Sequence, residues 1–177
     1  MKTSQPEAGI YAECVADIVD AAARIIQANS RFALITSVAI EGGAAREVGS
    51  LAIVESDGTM MGYLSNGCID RDIQLRALTA LATNRKEVVR YGEGSRYLDL
   101  KLPCGGALEV LIDPDPDRDM LLQAKRDFDA RKQATLSFRE NGADACTHSF
   151  TYEPRVRLYL AGRGAIFRAM AQLGSAT

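Results

Sequence analysis

Apolar residues recur at a helical period between positions 11 and 29. Cys14/Val15, Ile18/Val19, Ala22 and Ile25/Ile26 fall on one face, which predicts an amphipathic helix. The pattern then changes. Residues 32–40 form a nearly unbroken apolar run, the mark of a strand covered on both faces. The stretch Glu41-Gly42-Gly43-Ala44-Ala45-Arg46-Glu47-Val48-Gly49 reads as a flexible loop. Segments 50–55 and 60–64 read as the two strands of a hairpin, with Asp57-Gly58 supplying the turn.

Ser65-Asn66-Gly67 breaks that second strand, and a helix is expected over 68–83 with Ile69, Ile73, Ala77 and Leu81 on its apolar side. A short strand at 86–91 leads through a long loop, 92–103, to Cys104-Gly105-Gly106 and a further strand at 107–112. Asp113-Pro114-Asp115-Pro116-Asp117 is a stiff acidic linker that also offers a helix N-cap, and a helix follows over 118–131. Strands at 134–139 and 146–152 flank a turn at Asn141-Gly142. Pro154 opens something new: a strand at 155–160, Ala161-Gly162-Arg163-Gly164, then a helix over 165–173. That order is how a dinucleotide-binding βαβ unit begins. Residues 155–177 supply 23 positions, whereas a complete unit needs roughly 30 or more. The expected class is therefore mixed α/β (α+β). An N-terminal mixed-sheet domain flanked by helices occupies 1–153, and the first strand and helix of a Rossmann-like domain occupy 154–177. Leu158, Leu160, Ile166, Phe167 and Met170 are expected to belong to the core of that further domain; short of it they are disordered, packed back on the first domain, or buried against another chain, and the last favours a homo-oligomer.

Composition narrows the function classes. The 177 residues are 47% hydrophobic and 25% charged, with a net charge of −2, so a packed domain is expected and a general nucleic-acid binder is not. No apolar run has membrane length, and residues 1–9 are polar, with no secretory pattern. A reducing cytoplasm is the expected setting, with the thiols free. The four cysteines, at 14, 68, 104 and 146, lack the close spacing of a zinc ribbon, and a single histidine argues against a His-rich metal site. No Ser–His–Asp set, HExxH motif or P-loop is present, so no catalytic residue is assigned and a metal role is left unknown.

Two segments could carry chemistry. In Ser65-Asn66-Gly67-Cys68, the cysteine stands at or near a helix N-terminus, where backbone N–H groups favour a thiolate or a bound anion. Gly67 permits a sharp turn and close approach of a ligand. The alternative is a buried small residue beside an N-cap. In Pro103-Cys104-Gly105-Gly106, the paired glycines remove side chains where something approaches or where the chain bends, and the alternative is a simple strand-entry bend. Strand ends in α/β sheets converge on one rim, and two thiols there suit a soft metal or a sulfur-rich cofactor. A redox disulfide would need the two Cα atoms within about 7 Å. Arg46 is the matching anion contact, or a solvated surface residue. Gly162-Arg163-Gly164 is a weak nucleotide signal, because Phe167 stands where the third glycine belongs. His148 reads as structural or exposed, and Cys14 and Cys146 as packing residues.

Taken in order, these segments resemble the XdhC/CoxI family, accessory factors of xanthine dehydrogenase, carbon monoxide dehydrogenase and related molybdenum hydroxylases. Residues 42–50 resemble the family's glycine loop, with Ala45 in place of its proline. Residues 51–64 resemble its strand, Asp-Gly turn and strand. Ser65-Asn66-Gly67-Cys68-Ile69-Asp70 resembles its Ser-Gly-Gly-Cys-x-Glu, with Asn66 for a glycine and Asp70 for the glutamate. Residues 102–112 resemble its Pro-Cys-Gly-Gly entry into a strand. The resemblance implies a maturation factor rather than an enzyme. Such a factor binds molybdenum cofactor (molybdopterin) transiently and assists its insertion into an apo molybdenum hydroxylase of xanthine dehydrogenase type, with a cysteine desulfurase as a second partner. It implies cofactor contacts at Cys68, Cys104, Gly67, Gly105, Gly106, Ser65, Asn66 and Arg46. The alternatives are a nucleotide-dependent (NAD or FAD) oxidoreductase and a ligand-free interaction module.

Overall fold

Strand β1 (Phe32–Glu41) is buried from Phe32 through Val38 without a solvent-facing position. The computed structural model, which describes residues 14–43, 45–95, 102, 105–142 and 145–176, shows why. Phe32 and Leu34 face α1 (Val15–Gln27) through Ile18, Val19 and Ala22. Ala33 and Ile35 face the opposite way, into a cluster with Ile73, Ala77 and Leu81 of α2 (Asp70–Thr83). Each large aliphatic side chain buried this way contributes about 1.5–3 kcal/mol, so an unbroken apolar run is what a strand between two helical layers requires.

Strands β2 (Leu51–Glu55), β3 (Met60–Met61), β4 (Glu87–Gly92) and β5 (Ala107–Asp113) join β1 in one sheet of order β3-β2-β1-β5-β4. The fold class is mixed α/β as expected, and every pair in this sheet runs antiparallel. Helix α3 (Arg118–Asp129) begins where the acidic linker predicted, its N-cap Asp117 accepting a hydrogen bond from the Met120 amide at 2.9 Å. With α3, β6 (Ala134–Arg139) and β7 (Thr147–Tyr152) complete the layer over α1.

Two expectations fail. The strand expected over 60–64 stops after Met61, because Gly62 turns to φ +86° and a Cβ there would lie 2.9 Å from the Leu51 carbonyl oxygen and 3.1 Å from Ala52 Cα. Close backbone approach, not pairing, sets that position. The strand expected over 155–160 joins no sheet among the described residues. A strand requires a neighbour's backbone groups, and the five-stranded sheet is extended by none of these residues. Helix α4 (Ala165–Ala176) does form, and Val156, Tyr159, Ile166 and Leu173 on this segment are exposed. Arg155 ties the segment to the body through an ion pair with Asp17 and a carbonyl that accepts from Arg131 Nη1.

Antiparallel pairing sends alternate strand ends to opposite rims. At one rim lie the end of β1, the start of β2, the end of β3, the start of β5 and the end of β4. There Ala107 pairs with both Glu41 and Gly92. Arg90 clamps this rim. Its guanidinium donates to Glu41 at 2.7 and 3.0 Å and to Glu109 at 2.9 Å, and its Nε donates to the Glu93 carbonyl at 2.8 Å. The Arg90 hydrogen bond and charge hold the Glu41 carboxyl below the usual carboxylate range. A carboxyl lowered on folding stabilises the fold above its unfolded pKa, and that contribution is lost as pH falls through the folded value. Arg90→Gln should therefore lower the urea midpoint near neutral pH. The difference from the parent should shrink as the pH is taken down through the carboxylate range, read from denaturation curves at a series of pH values.

Candidate functional site

The glycine loop, residues 62–69 and residues 105–106 all lie at strand ends on this rim. The loop before α2 is built around one carboxylate. Asp70 Oδ1 accepts the Leu64 amide at 2.7 Å, and Oδ2 accepts both the Ser65 hydroxyl and the Gly67 amide at 2.7 Å. Ser65 Oγ in turn accepts the Ile69 amide at 2.9 Å. Ser65 is buried and fully engaged, so it shapes the loop and is not open to a ligand. Asn66 takes the left-handed φ of 50° and Gly67 one of 94°. Asparagine is among the few non-glycine residues that adopt this region readily.

Cys68 emerges from this loop exposed and unpaired with any other cysteine. That rules out the buried-residue alternative. The helix starts two residues later than expected, at Asp70 with Ile69 as N-cap, so the thiol stands just outside the first turn. Cys104 and Pro103 lie outside the described residues. Among the described residues no group of three or more His, Cys, Asp or Glu side chains could hold a metal ion. Cys14 is half-buried against the α1 core, as a packing residue should be, whereas Cys146 is exposed. It stands just before β7, where its side chain finds no core to enter. His148 Nε2 lies 2.7 Å from Glu140 Oε1, a structural pairing.

The rim glycines divide into two kinds. A Cβ on Gly106 would meet the carbonyl oxygens of Glu41 and Gly43, and one on Gly92 would meet the Gly106 carbonyl. Their missing side chains are replaced by the protein's own backbone, so Gly106 is a packing glycine and leaves no room for a ligand. Gly67 and Gly105 differ. Both take positive φ, and among the described residues nothing lies within 4 Å of where a Cβ would be. These two leave open space at the rim.

Arg46 belongs to the same surface. Its guanidinium lies 4.7 Å from the centre of the Tyr63 ring, and Nη1 donates to the Tyr63 hydroxyl at 3.4 Å. It is half-buried on a cleft of about 340 Å³ shared with Ala45, Glu47, Ser50 and Tyr152. Tyr152 donates to the Gly49 carbonyl at 2.6 Å, and its burial pushes the phenol well above its ordinary range. Tyr63 was not singled out from the sequence. Its only signal was its position between the hairpin and the Ser65 loop. Tyr91 was missed as well. It is buried and donates to Asp72 Oδ2 at 2.8 Å, while Arg76 Nε donates to the same oxygen at 2.7 Å and Arg76 Nη1 to Glu87 at 3.1 Å. Burial, then the Asp72 carboxylate, push the Tyr91 phenol far up. This network fixes the first turn of α2, and with it the Cys68 loop, to β4.

The arrangement offers a fixed outward thiol, a half-buried guanidinium and open space beside two glycines. Residues 25–92 match the XdhC and CoxI family. The chain is 29% identical over 186 aligned positions to a molybdenum cofactor insertion chaperone, PaoD, of Escherichia coli K12, covering 98% of this chain and 58% of that protein. The chain thus spans little more than half the length of this curated relative. A solved structure titled a xanthine dehydrogenase from Bacillus halodurans shares the fold with a TM-score of 0.63 at 17% identity, over 81% of this chain and 54% of that one.

The two kinds of rim glycine separate by substitution. Gly106→Ala should destabilise the fold by about 2–3 kcal/mol through backbone collision. Gly105→Ala should cost only the left-handed conformation, about 1–2 kcal/mol. Urea unfolding of the two variants side by side checks the order.

Proposed function

Because residues 25–92 match the XdhC and CoxI family, we propose that this chain is an accessory factor that binds molybdenum cofactor and assists its insertion into a molybdenum hydroxylase of xanthine dehydrogenase type. The observation that carries this reading is the exposed Cys68 thiol, held on a hydrogen-bonded loop at a rim shared with Arg46. The cargo has a soft dithiolene and a phosphate. A thiol suits the sulfur-rich, soft end, and a guanidinium suits the phosphate. Open space at Gly67 and Gly105 leaves room for close approach. Gly106 and Ser65 support the rim from behind and make no contact with the cargo, whereas Asn66 and Cys104 stand with Cys68 as contact residues.

The role is delivery, not catalysis, in keeping with the chaperone named among the relatives. On this reading residues 1–153 handle the cargo and 154–177 open a second, Rossmann-like unit. The exposed Val156, Ile166 and Leu173 support pairing with a second copy. Among the described residues no helix is long and apolar enough to cross a membrane. A cytoplasmic setting and a cysteine desulfurase as sulfur donor complete the proposal.

The test is anaerobic co-purification followed by molybdenum and pterin analysis. Cys68→Ala should cut retained pterin sharply, and Arg46→Ala should weaken it about tenfold or more, as expected for loss of a charge-assisted contact. Retention equal to the parent in Cys68→Ala and in Cys104→Ala would remove the thiols from the mechanism.

A further inference from the structure

Asp70 is, by sequence, an ordinary acidic residue in the first turn of a helix, where carboxylates favour the macrodipole. Its geometry is not ordinary. The side chain turns back out of α2 and collects three donors, from Leu64, Ser65 and Gly67, all within the four residues that precede the loop's last two, Cys68 and Ile69. Hydrogen bonds to an ionised acceptor are stronger than neutral ones, and three on one carboxylate fix the turn that carries Asn66 and Gly67 through positive φ. Leu64, Ser65 and Ile69 are buried and anchor both ends of the loop. Asn66, Gly67 and Cys68 are exposed, and the Cys68 amide reaches the Ser65 carbonyl only at 3.4 Å.

We propose that Asp70 is the positioning residue of the Cys68 thiol: it fixes the direction in which the sulfur is presented to a soft, thiol-seeking ligand at the rim. The ligand class rests on the cargo reading above, while the positioning itself does not. Asp70 makes no contact with the ligand in this scheme. It acts through Ser65 and Gly67, and Ser65 transmits part of the restraint by accepting the Ile69 amide.

The experiment uses the full chain without cargo and labels it with iodoacetamide under anaerobic, reducing conditions. Peptide mass spectrometry follows Cys68 and the likewise exposed Cys146 in the same sample. Asp70→Asn keeps the size but presents an NH₂ group to donors. It should change the Cys68 to Cys146 rate ratio by at least about threefold, the scale of one lost hydrogen bond. Ser65→Ala, which removes one of the three donors, should shift the ratio in the same direction by less. A general loosening of the fold would move Cys14 and Cys146 along with Cys68. If Asp70→Asn unfolds the chain in this way, the Ser65→Ala ratio decides. A ratio unchanged in the folded variant overturns the proposal. A parallel pterin assay separates the two readings. Parent chain that retains no pterin sinks the cargo assignment and leaves the ratio to judge Asp70. Parent chain that retains pterin, with an unchanged ratio in Asp70→Asn, sinks the positioning role alone.

Discussion

A strand with no solvent face has to be covered twice, and that need of β1 organises the molecule. Its odd-facing and even-facing side chains demand separate helical layers, α1 and α3 on one side and α2 on the other. Once both faces of the sheet are occupied, only its rims remain for chemistry. The antiparallel order then decides which loops share a rim. It gathers the ends of β1, β3 and β4 and the starts of β2 and β5 at one place, where the chain carries its glycines, Arg46 and Cys68. Had the strands run parallel, the connections at each rim would have been sorted differently and these segments would not meet.

Gathering five strand ends at one rim creates a crowding problem, and the glycines solve it in part. Gly42 and Gly106 lie so close that a Cβ on Gly42 would be 3.3 Å from Gly106 Cα, and Gly92 closes on Gly106 from the other side. This three-glycine contact draws the β1–β2 loop against the entry to β5. Arg90 adds charge to the same junction by joining Glu41 and Glu109. Arg90 is half-buried but its partner Glu41 is exposed, so the pair fixes geometry more than it supplies stability. The rim is therefore a backbone junction with polar groups hung on it.

Much of this was legible in the sequence for identifiable reasons. The α1 period, the double-faced β1 run, the Asp57-Gly58 turn and the Asp117 cap are local signals, and each appears where expected. What was not legible depended on contacts distant in sequence. Gly105 and Gly106 look alike as letters, yet one opens to space and the other packs against Glu41 and Gly43, far earlier in the chain. The strand expected over 60–64 was cut short by the Leu51 carbonyl beneath Gly62. The strand expected over 155–160 had the right composition and no neighbour to pair with. Cys146 is exposed where a packing residue is expected, because strand periodicity says which face a residue takes but not whether anything covers that face.

The loop also explains which departures from the family pattern the fold can absorb. Asn66 stands where the resemblance expects glycine, and its φ of 50° is the region where asparagine is the least costly substitute. Asp70 stands where it expects glutamate, and its shorter arm still reaches Leu64, Ser65 and Gly67 at 2.7 Å each. The two changes lie on either side of Cys68 and meet in one feature, the turn through Gly67. An alanine or valine at 66 would strain that turn, and loss of the carboxylate would release it. The physical requirement at this loop is therefore not glycine and glutamate as such. It is a left-handed residue followed by glycine, closed by an acidic group long enough to return from the helix.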